Sequence, residues 1–346
     1  MTGMPQQTGL RVLYVGDGGD RARLARALAE ASPSLTADYT IQPASLRMPS
    51  PLRHLHYLKL ALHALVHGRR YDRIFFWQQY VALYYSVLAR LLPFPGRPDY
   101  LVYYIISKKR PGLLGRLATG LFSAMIRDKR NRKTFFMSKS DYLYTLFEGG
   151  AWSDRLEILN DLDLVYPHIE ANRVDGTVGD TIFSGGSGNR KYRDVAEIAS
   201  LLPDRAFAIA SREEDVAGLS FPGNVTAHSD VYGTDFMDRI LTSELVLIPL
   251  ADMRVMSGQL VCIQAFASGK IVLISENDCL KDWIPTIGSL DFVKIYASPA
   301  ECAAYIGSLD HATLIEKGRQ ARAFYEDHLV DTGFYQKLAS AIATRG

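Results

Sequence analysis

Cysteine is scarce in this chain of 346 residues: there are three, Cys262, Cys279 and Cys302. An odd, scattered set in apolar surroundings makes neither a disulfide framework nor a metal site, and it fits a reducing cytoplasm. Long apolar runs are missing too. No stretch of about 18 uncharged apolar residues occurs, so nothing in the sequence is suited to spanning a bilayer. The opening, MTGMPQQTGLRVLYVGD, lacks the form of a signal peptide, because its short apolar run already reads as a strand. A cytoplasmic location is therefore expected. What is present is globular in character: 48% of residues are apolar and 22% charged, and the length suits roughly two domains of about 150 residues. The net charge of +2 conceals a split. Through Val165, 23 Lys and Arg stand against 13 Asp and Glu, whereas 16 stand against 24 beyond it. Such asymmetry points to a polyanion or anionic membrane meeting the first half, or to attraction between the halves.

Arg11–Gly16 (RVLYVG) reads as a buried strand, Asp17-Gly18-Gly19-Asp20 as a tight turn, and 22–31 as a helix. Strand, glycine turn and helix begin a doubly wound sheet, whose ligands bind beyond the carboxyl ends of the strands. The turn is not GxGxxG, so a dinucleotide fingerprint is not supported. Further strands are expected at 39–42, 72–80, 100–107, 134–138 and 156–159. Helical patterns separate most of them, which implies parallel strands with right-handed crossovers.

Two helical stretches of this half stand out. Residues 52–67 (LRHLHYLKLALHALVH) carry leucines at 52, 55, 58, 62 and 65, with Arg53, Lys59 and four histidines between them. Residues 111–133 carry an apolar face ending in a basic cluster with Arg127, Lys129 and Arg130, and are preceded by Lys108-Lys109-Arg110. Basic amphipathic helices lie in membrane interfaces, and each cation near anionic lipid contributes ~1 kcal/mol. The alternative is a pair of core-facing helices with solvated charges; contact with an anionic membrane surface is the expectation, and nucleic acid is not an expected partner. His63 and His67 sit one turn apart but lack a third ligand nearby, so no metal site is expected.

Periodicity lapses from 161 to 178, where Pro167, Asn172, Gly176 and Gly179 mark a linker. The expected division is a first domain over 1–165, a linker over 166–180, a second domain over 181–330, and a C-terminal helix over 331–346 packing back toward the first domain. Asp161-x-Asp163 has the form of a metal-binding DxD, but its place at the linker favours a hinge.

The second half resumes the alternation. A strand at 181–184 leads into Gly185-Gly186-Ser187-Gly188-Asn189-Arg190-Lys191, and a helix at 194–202 follows. Glycines such as Gly185 and Gly186 let the backbone approach a ligand closely, and the adjacent cations Arg190 and Lys191 suit a diphosphate. Strands at 206–210, 225–227 and 245–249 precede the stretch MSGQLVCIQAFASGKIV at 256–272. There a Ser257-Gly258-Gln259 turn opens an apolar helix, and a β-branched strand follows at 271–274. A small-residue turn at a helix start offers unpaired N–H groups and the positive end of the macrodipole, an anion site. The tail at 314–343 is helical, with Gly333 as a break.

With these motifs in place, the chain resembles the nucleotide-sugar-dependent glycosyltransferases of the GT-B fold, particularly the group related to family 4. SGQLVCIQAFASGKIVLIS is similar to the family's donor-binding loop, helix and strand. HSDVYGTDFMDRILTSELVLIPL is similar to the segment that reads the nucleobase, and SGGSGNRKYRDVAEIA to the basic glycine loop. FFMSKSDYLYTLFEGGAWSDRLEILNDLDL is similar to the last strands of the first domain. The resemblance implies an α/β fold of two Rossmann-like doubly wound domains facing a central cleft. It also implies that Arg190 and Lys191 neutralise the donor diphosphate and that Ser257, Gly258 and Gln259 hydrogen-bond its oxygens. Val231 and Tyr232 would lie beside the base, and Gln264 stands where the family usually has a ribose-binding glutamate. Retaining members carry Glu-x7-Glu, and here those positions are Met256 and Gln264. Met256 cannot replace a carboxylate, which leaves the stereochemistry open. An inverting enzyme needs a base from the first domain, and Asp17 and Asp20, just past the first strand, are the candidates.

The activity implied is transfer of a sugar, of hexosyltransferase type, from a UDP- or GDP-linked donor to an acceptor hydroxyl. No cofactor is expected beyond that co-substrate, and no metal. The basic first domain suggests a lipid-linked saccharide or glycolipid acceptor at the inner face of the cytoplasmic membrane, in polysaccharide or glycoconjugate assembly. Two other readings stand beside it: a nucleotide-sugar epimerase of the same fold, and a catalytically silent nucleotide-sugar-binding protein, which Met256 favours.

Overall fold

Segments such as RVLYVG, RIFF and DYLVYYI bury nearly every side chain, the mark of strands covered on both faces. The computed structural model describes residues 9–42, 48–92, 96–159, 165–330 and 332–344, in two compact units: 1–160 with 333–346, and 161–332. Asp161 and Asp163 lie outside the described residues.

In the first unit the strands are β1 (Arg11–Gly16), β2 (Thr36–Ile41), β3 (Arg73–Phe76), β4 (Asp99–Ile105), β5 (Asn131–Phe136) and β6 (Leu156–Ile158). They form one parallel sheet in the order β2-β1-β3-β4-β5-β6. The helices between them are α1 (Arg21–Ala31), α2 (Ser50–His67), α3 (Gln79–Leu91), α4 (Gly112–Ile126) and α5 (Tyr142–Phe147). Successive strand residues point to opposite faces. Leu13 and Val15 accordingly pack with side chains of α2, α3, α4 and α5, while Val12 and Tyr14 pack with those of α1 on the other face.

Two expected elements end early, each for a local reason. The strand expected at 72–80 stops at Phe76, because the Gln78 side chain accepts from the Tyr80 and Val81 N–H groups and starts α3. The helix expected at 111–133 stops at Ile126. There Asp128 Oδ1 accepts the Arg130 N–H at 3.1 Å and the Asp128 carbonyl accepts the Asn131 N–H at 2.9 Å, turning the chain into β5.

In the second unit, α6 (Pro167–Asn172) lies within the stretch read as a linker. It is followed by β7 (Thr181–Gly185), α7 (Tyr192–Leu201), β8 (Ala206–Ala210), α8 (Glu213–Val216), β9 (Val225–His228), α9 (Thr234–Leu241), β10 (Leu245–Ile248) and α10 (Gln259–Ala267). Then come β11 (Val272–Ser275), α11 (Leu280–Trp283), β12 (Val293–Tyr296), α12 (Pro299–Gly307) and α13 (His311–His328). The sheet is parallel in the order β12-β11-β10-β7-β8-β9. From β7 the chain winds outward to β9, then returns to β10 and winds the other way. The gap between β7 and β10 is thus a topological switch point, where doubly wound sheets open a crevice at their carboxyl end. After Gly333 the last helix, α14 (Phe334–Ala343), rejoins the first unit and packs on α1.

Lys270, just before β11, is buried, with its Nζ donating to the Thr177 carbonyl at 2.8 Å. Burial pushes its pKa down to about 8 from 10.5. Below both values the folded and unfolded chains carry the same proton and the cost of burying the charge is fully present. Between them only the unfolded chain holds it, so this contribution to stability rises with pH. Wild type is expected to gain ~3 kcal/mol on Lys270→Met as pH climbs from about 8 to 10.5, read from urea melts of both proteins across that range.

Candidate functional site

At the switch point of the second unit, two loops leave adjacent strands and are stitched together. The loop after β7 holds Gly186 to Lys191, and the loop after β10 runs to Gly258. The Lys191 N–H donates to the Pro249 carbonyl at 3.1 Å and the Ala251 N–H to the Asn189 carbonyl at 3.2 Å, an antiparallel bridge between Arg190 and Leu250. Asn189 holds the junction. Its Nδ2 donates to the Asp252 and Val255 carbonyls at 3.0 and 3.3 Å and to Ser257 Oγ at 3.0 Å, while its Oδ1 accepts the Asp252 N–H at 2.7 Å. Its φ of 51° lies in the left-handed region, which asparagine tolerates better than most residues. Asn277 binds the same two carbonyls, at 3.2 Å each. Neither asparagine is among the residues expected at the site from the sequence. The one signal for Asn189 was its place in a glycine loop, and its partners lie more than 60 residues away.

The Arg190 guanidinium lies under the glycine loop. Nε donates to the Gly185 carbonyl at 3.2 Å and Nη1 to the Gly188 carbonyl at 3.3 Å. At Gly186 a Cβ would lie 2.9 Å from Arg190 Nη2, and the φ of +108° favours glycine whatever the space. Burial draws the Arg190 pKa below its ordinary value, and Tyr192 and the Cys262 thiol on α10 push it back up. Lys191 is not a free cation: its Nζ pairs with the buried carboxylate of Asp194 at 2.9 Å.

On the other side of the junction, Gly258 begins α10 with φ +87° and no side-chain cap. Gln259 is only 5% exposed, and its Nε2 has no hydrogen-bond partner among the described residues. A buried donor left unmade costs about 1–3 kcal/mol, which an acceptor from a ligand would offset. The Arg190-Lys191 segment and the Ser257-Gly258-Gln259 turn, far apart in sequence, are thus joined at one junction through Asn189. Gln264 is half-buried further along α10. Val231 and Tyr232 are half-buried in the loop before α9, with the Tyr232 hydroxyl donating to the Ser229 carbonyl at 2.8 Å. That helix packs beside the end of β7, where a Cβ at Gly185 would meet the Phe236 ring at 2.5 Å. Met256 is buried.

The first unit has its own switch point, between β1 and β3, where Asp17 and Asp20 differ in employment. Asp20 caps α1, its Oδ1 accepting the Ala22 and Arg23 N–H groups at 2.9 and 3.1 Å. Asp17 is half-buried and accepts the Tyr57 hydroxyl at 2.9 Å. Burial first, and the Asp17 charge second, raise the pKa values of Tyr57 and Tyr104, so both phenols stay protonated beside the carboxylate. Lys108, Lys109 and Arg110 are exposed just past the carboxyl end of β4, whereas Arg127, Lys129 and Arg130 are exposed at the opposite end of the sheet, ahead of β5. The two basic runs are separate features. His63 and His67 stack at 4.2 Å, and His63 Nε2 meets Thr40 Oγ1 at 3.2 Å. Among the described residues no group of three His, Cys, Asp or Glu is placed to hold a metal ion.

No protein-family model matches the chain, and no curated protein sequence matches it. Solved structures do. HepE of Anabaena in complex with UDP-glucose is 12% identical, with a TM-score of 0.62 over 96% of this chain and 99% of that one. A glycosyltransferase from Rickettsia africae is 12% identical, with a TM-score of 0.56 over 98% of this chain and 100% of that one. An α,α-trehalose-phosphate synthase (UDP-forming) from Burkholderia vietnamiensis is 10% identical, with a TM-score of 0.62 over 97% and 100%. Two parallel six-stranded sheets with helices interleaved, matched over nearly the whole chain, give this protein the GT-B fold of these structures.

Proposed function

We propose that this chain is a glycosyltransferase that moves a sugar, of hexose type, from a nucleoside diphosphate to an acceptor hydroxyl. The observation that carries the proposal is the junction held by Asn189. It ties the segment of the half-buried Arg190 to the Ser257 turn at the start of α10, ahead of Gln259, whose amide has no partner among the described residues, and both lie at the switch point. As the bond to the anomeric carbon breaks, negative charge grows on the departing phosphate. Donors already fixed at that phosphate stabilise it without reorganising. In this reading Arg190 and the helix start supply the counter-charge in place of a metal ion, Lys191 adding less because Asp194 pairs with it, and no cofactor is used. UDP-glucose in the HepE complex favours a UDP-linked donor. Asp17, with its phenol partners, is the candidate base if transfer inverts; Asp20 is committed to its cap. The acceptor is proposed to be a lipid-linked saccharide or glycolipid at a cytoplasmic membrane face, in polysaccharide or glycoconjugate assembly.

A panel of nucleotide sugars scored by thermal shift and by UDP release tests the reading. A UDP-sugar should raise Tm by several degrees, as ligands specific to the folded state do. It should also release UDP once acceptor is added, with EDTA making no difference. Asp17→Asn should keep the shift and lose the release. A shift without any release, in wild type as in variant, would instead support a silent binding protein, the reading that the buried Met256 favours.

A further inference from the structure

The helical layer α2, α3, α4 contains no aspartate or glutamate at all, while it carries Arg53, Lys59, Arg90 and Arg116. Its outer surface is apolar to an unusual degree. Leu113 and Leu114, at the start of α4, are each 81% exposed and Leu117 is 57% exposed; on the first turns of α2, Leu55 is 61% and Leu52 55% exposed. Single exposed leucines are ordinary, but runs of them on two helix starts that flank α3 are not. The two helix starts belong together. Both follow strands at the carboxyl end of the first unit's sheet, and α3 packs against both α2 and α4. Burial first, then the charges of Arg53 and Arg110, draw the His54 imidazole below its ordinary pKa. Next to these leucines stand the exposed Lys108, Lys109 and Arg110. Among the described residues no helix is long and apolar enough to cross a membrane.

We propose that the starts of α2 and α4 form a membrane-docking edge: Leu52, Leu55, Leu113, Leu114 and Leu117 enter the acyl boundary of an anionic bilayer while Lys108, Lys109 and Arg110 engage its headgroups. Apolar insertion flanked by cations, with no carboxylate on the layer to repel phosphate, is the composition of an interfacial helix. It rests on the reading of a membrane-borne acceptor above, and it narrows that reading to one edge. Arg127, Lys129 and Arg130 are left out of it. They lie about 20 Å further along α4, roughly two Debye lengths from the leucines at ordinary salt. The edge sits at the carboxyl end of the sheet, as does Asp17, so a lipid-anchored acceptor would be presented on the side of the unit that holds the candidate base.

All three native cysteines are buried, so an environment-sensitive fluorophore can be placed on one new thiol in the full chain. With vesicles of phosphatidylglycerol and phosphatidylcholine at low salt, a label on Leu114→Cys should shift to the blue and be quenched by brominated acyl chains. A label on Arg130→Cys should do neither. Flotation with the same vesicles should fall at least tenfold for the triple variant Leu113→Gln, Leu114→Gln, Leu117→Gln, and as much for Lys108→Glu, Lys109→Glu, Arg110→Glu. Reversal of Arg127, Lys129 and Arg130 to glutamate should change it less than twofold. These side chains are exposed, so melts should confirm that every variant is folded. Equal signals at both label sites, unchanged flotation of the triple leucine variant, or a protein dimer dispersed by that variant without any flotation would overturn the proposal. None of these readouts uses the donor site, so a failure here leaves the transferase reading to its own test.

Discussion

Arg190→Ala is expected to slow sugar transfer at least a hundredfold while the protein stays folded. The guanidinium is held in place by the Gly185 and Gly188 carbonyls and packs against Gly186. Loss of one fixed donor aimed at developing negative charge costs ~3–4 kcal/mol of transition-state stabilisation, or 10²–10³ in rate. Arg190→Lys should recover only part of this, because an ammonium cannot both hold two carbonyls and present a planar fork to a phosphate. Steady-state rates and UDP titration calorimetry, beside thermal melts, separate the outcomes. Full turnover in the alanine variant would remove Arg190 from the site. A loss that only tracks a collapse in Tm would make it a brace for the loop. Lys191→Ala should have the smaller effect, since Asp194 already neutralises that ammonium.

Gly179→Ala should be the most damaging single methyl in the second unit. A Cβ there would lie 1.8 Å from the Thr242 carbonyl oxygen, 2.7 Å from its carbon and 3.0 Å from the Ser243 carbonyl carbon. These are backbone atoms at the end of α9, and the Gly179 N–H donates to the Ser243 carbonyl at 3.2 Å, so no flexible side chain is available to yield. Destabilisation of ~4 kcal/mol or more is expected. For a unit of this size that lowers Tm by roughly 10 °C. Gly223→Ala is the control, because a Cβ there meets nothing within 4 Å, and it should be neutral. Equal melts for the two variants would refute the steric argument.

How much of this was legible beforehand depended on the range of the interactions. β1 and β8 match their expected bounds because an apolar run ends at glycine or polar residues on both sides. The overshoot into 77–80 came from aromatic residues that continue a strand-like composition past a helix start. The cap there is Gln78, a residue seldom found in that role. β12 and α12 were not read at all, as VKIY is four residues long with a lysine inside it. The glycine loop and the Ser257 turn were legible as local turns ahead of helices. That Asn189 ties them together was not, since those hydrogen bonds span 63 to 68 residues. The Lys191–Asp194 pair and the Asp20 cap are local and could have been read from spacing alone. The two basic runs looked like the flanks of one helix. They separate because α4 travels back along the sheet from the carboxyl to the amino ends of the strands.

The last helix has a consequence for biogenesis. Phe334, Tyr335, Leu338, Ala339 and Ile342 of α14 are all buried in the core beside α1, and Arg73 donates to the Ile342 and Thr344 carbonyls. The first unit therefore cannot be completed until α14 emerges, after the whole of the second unit has been translated. Through that interval one flank of its nascent sheet waits uncovered, a natural client surface for a holding chaperone.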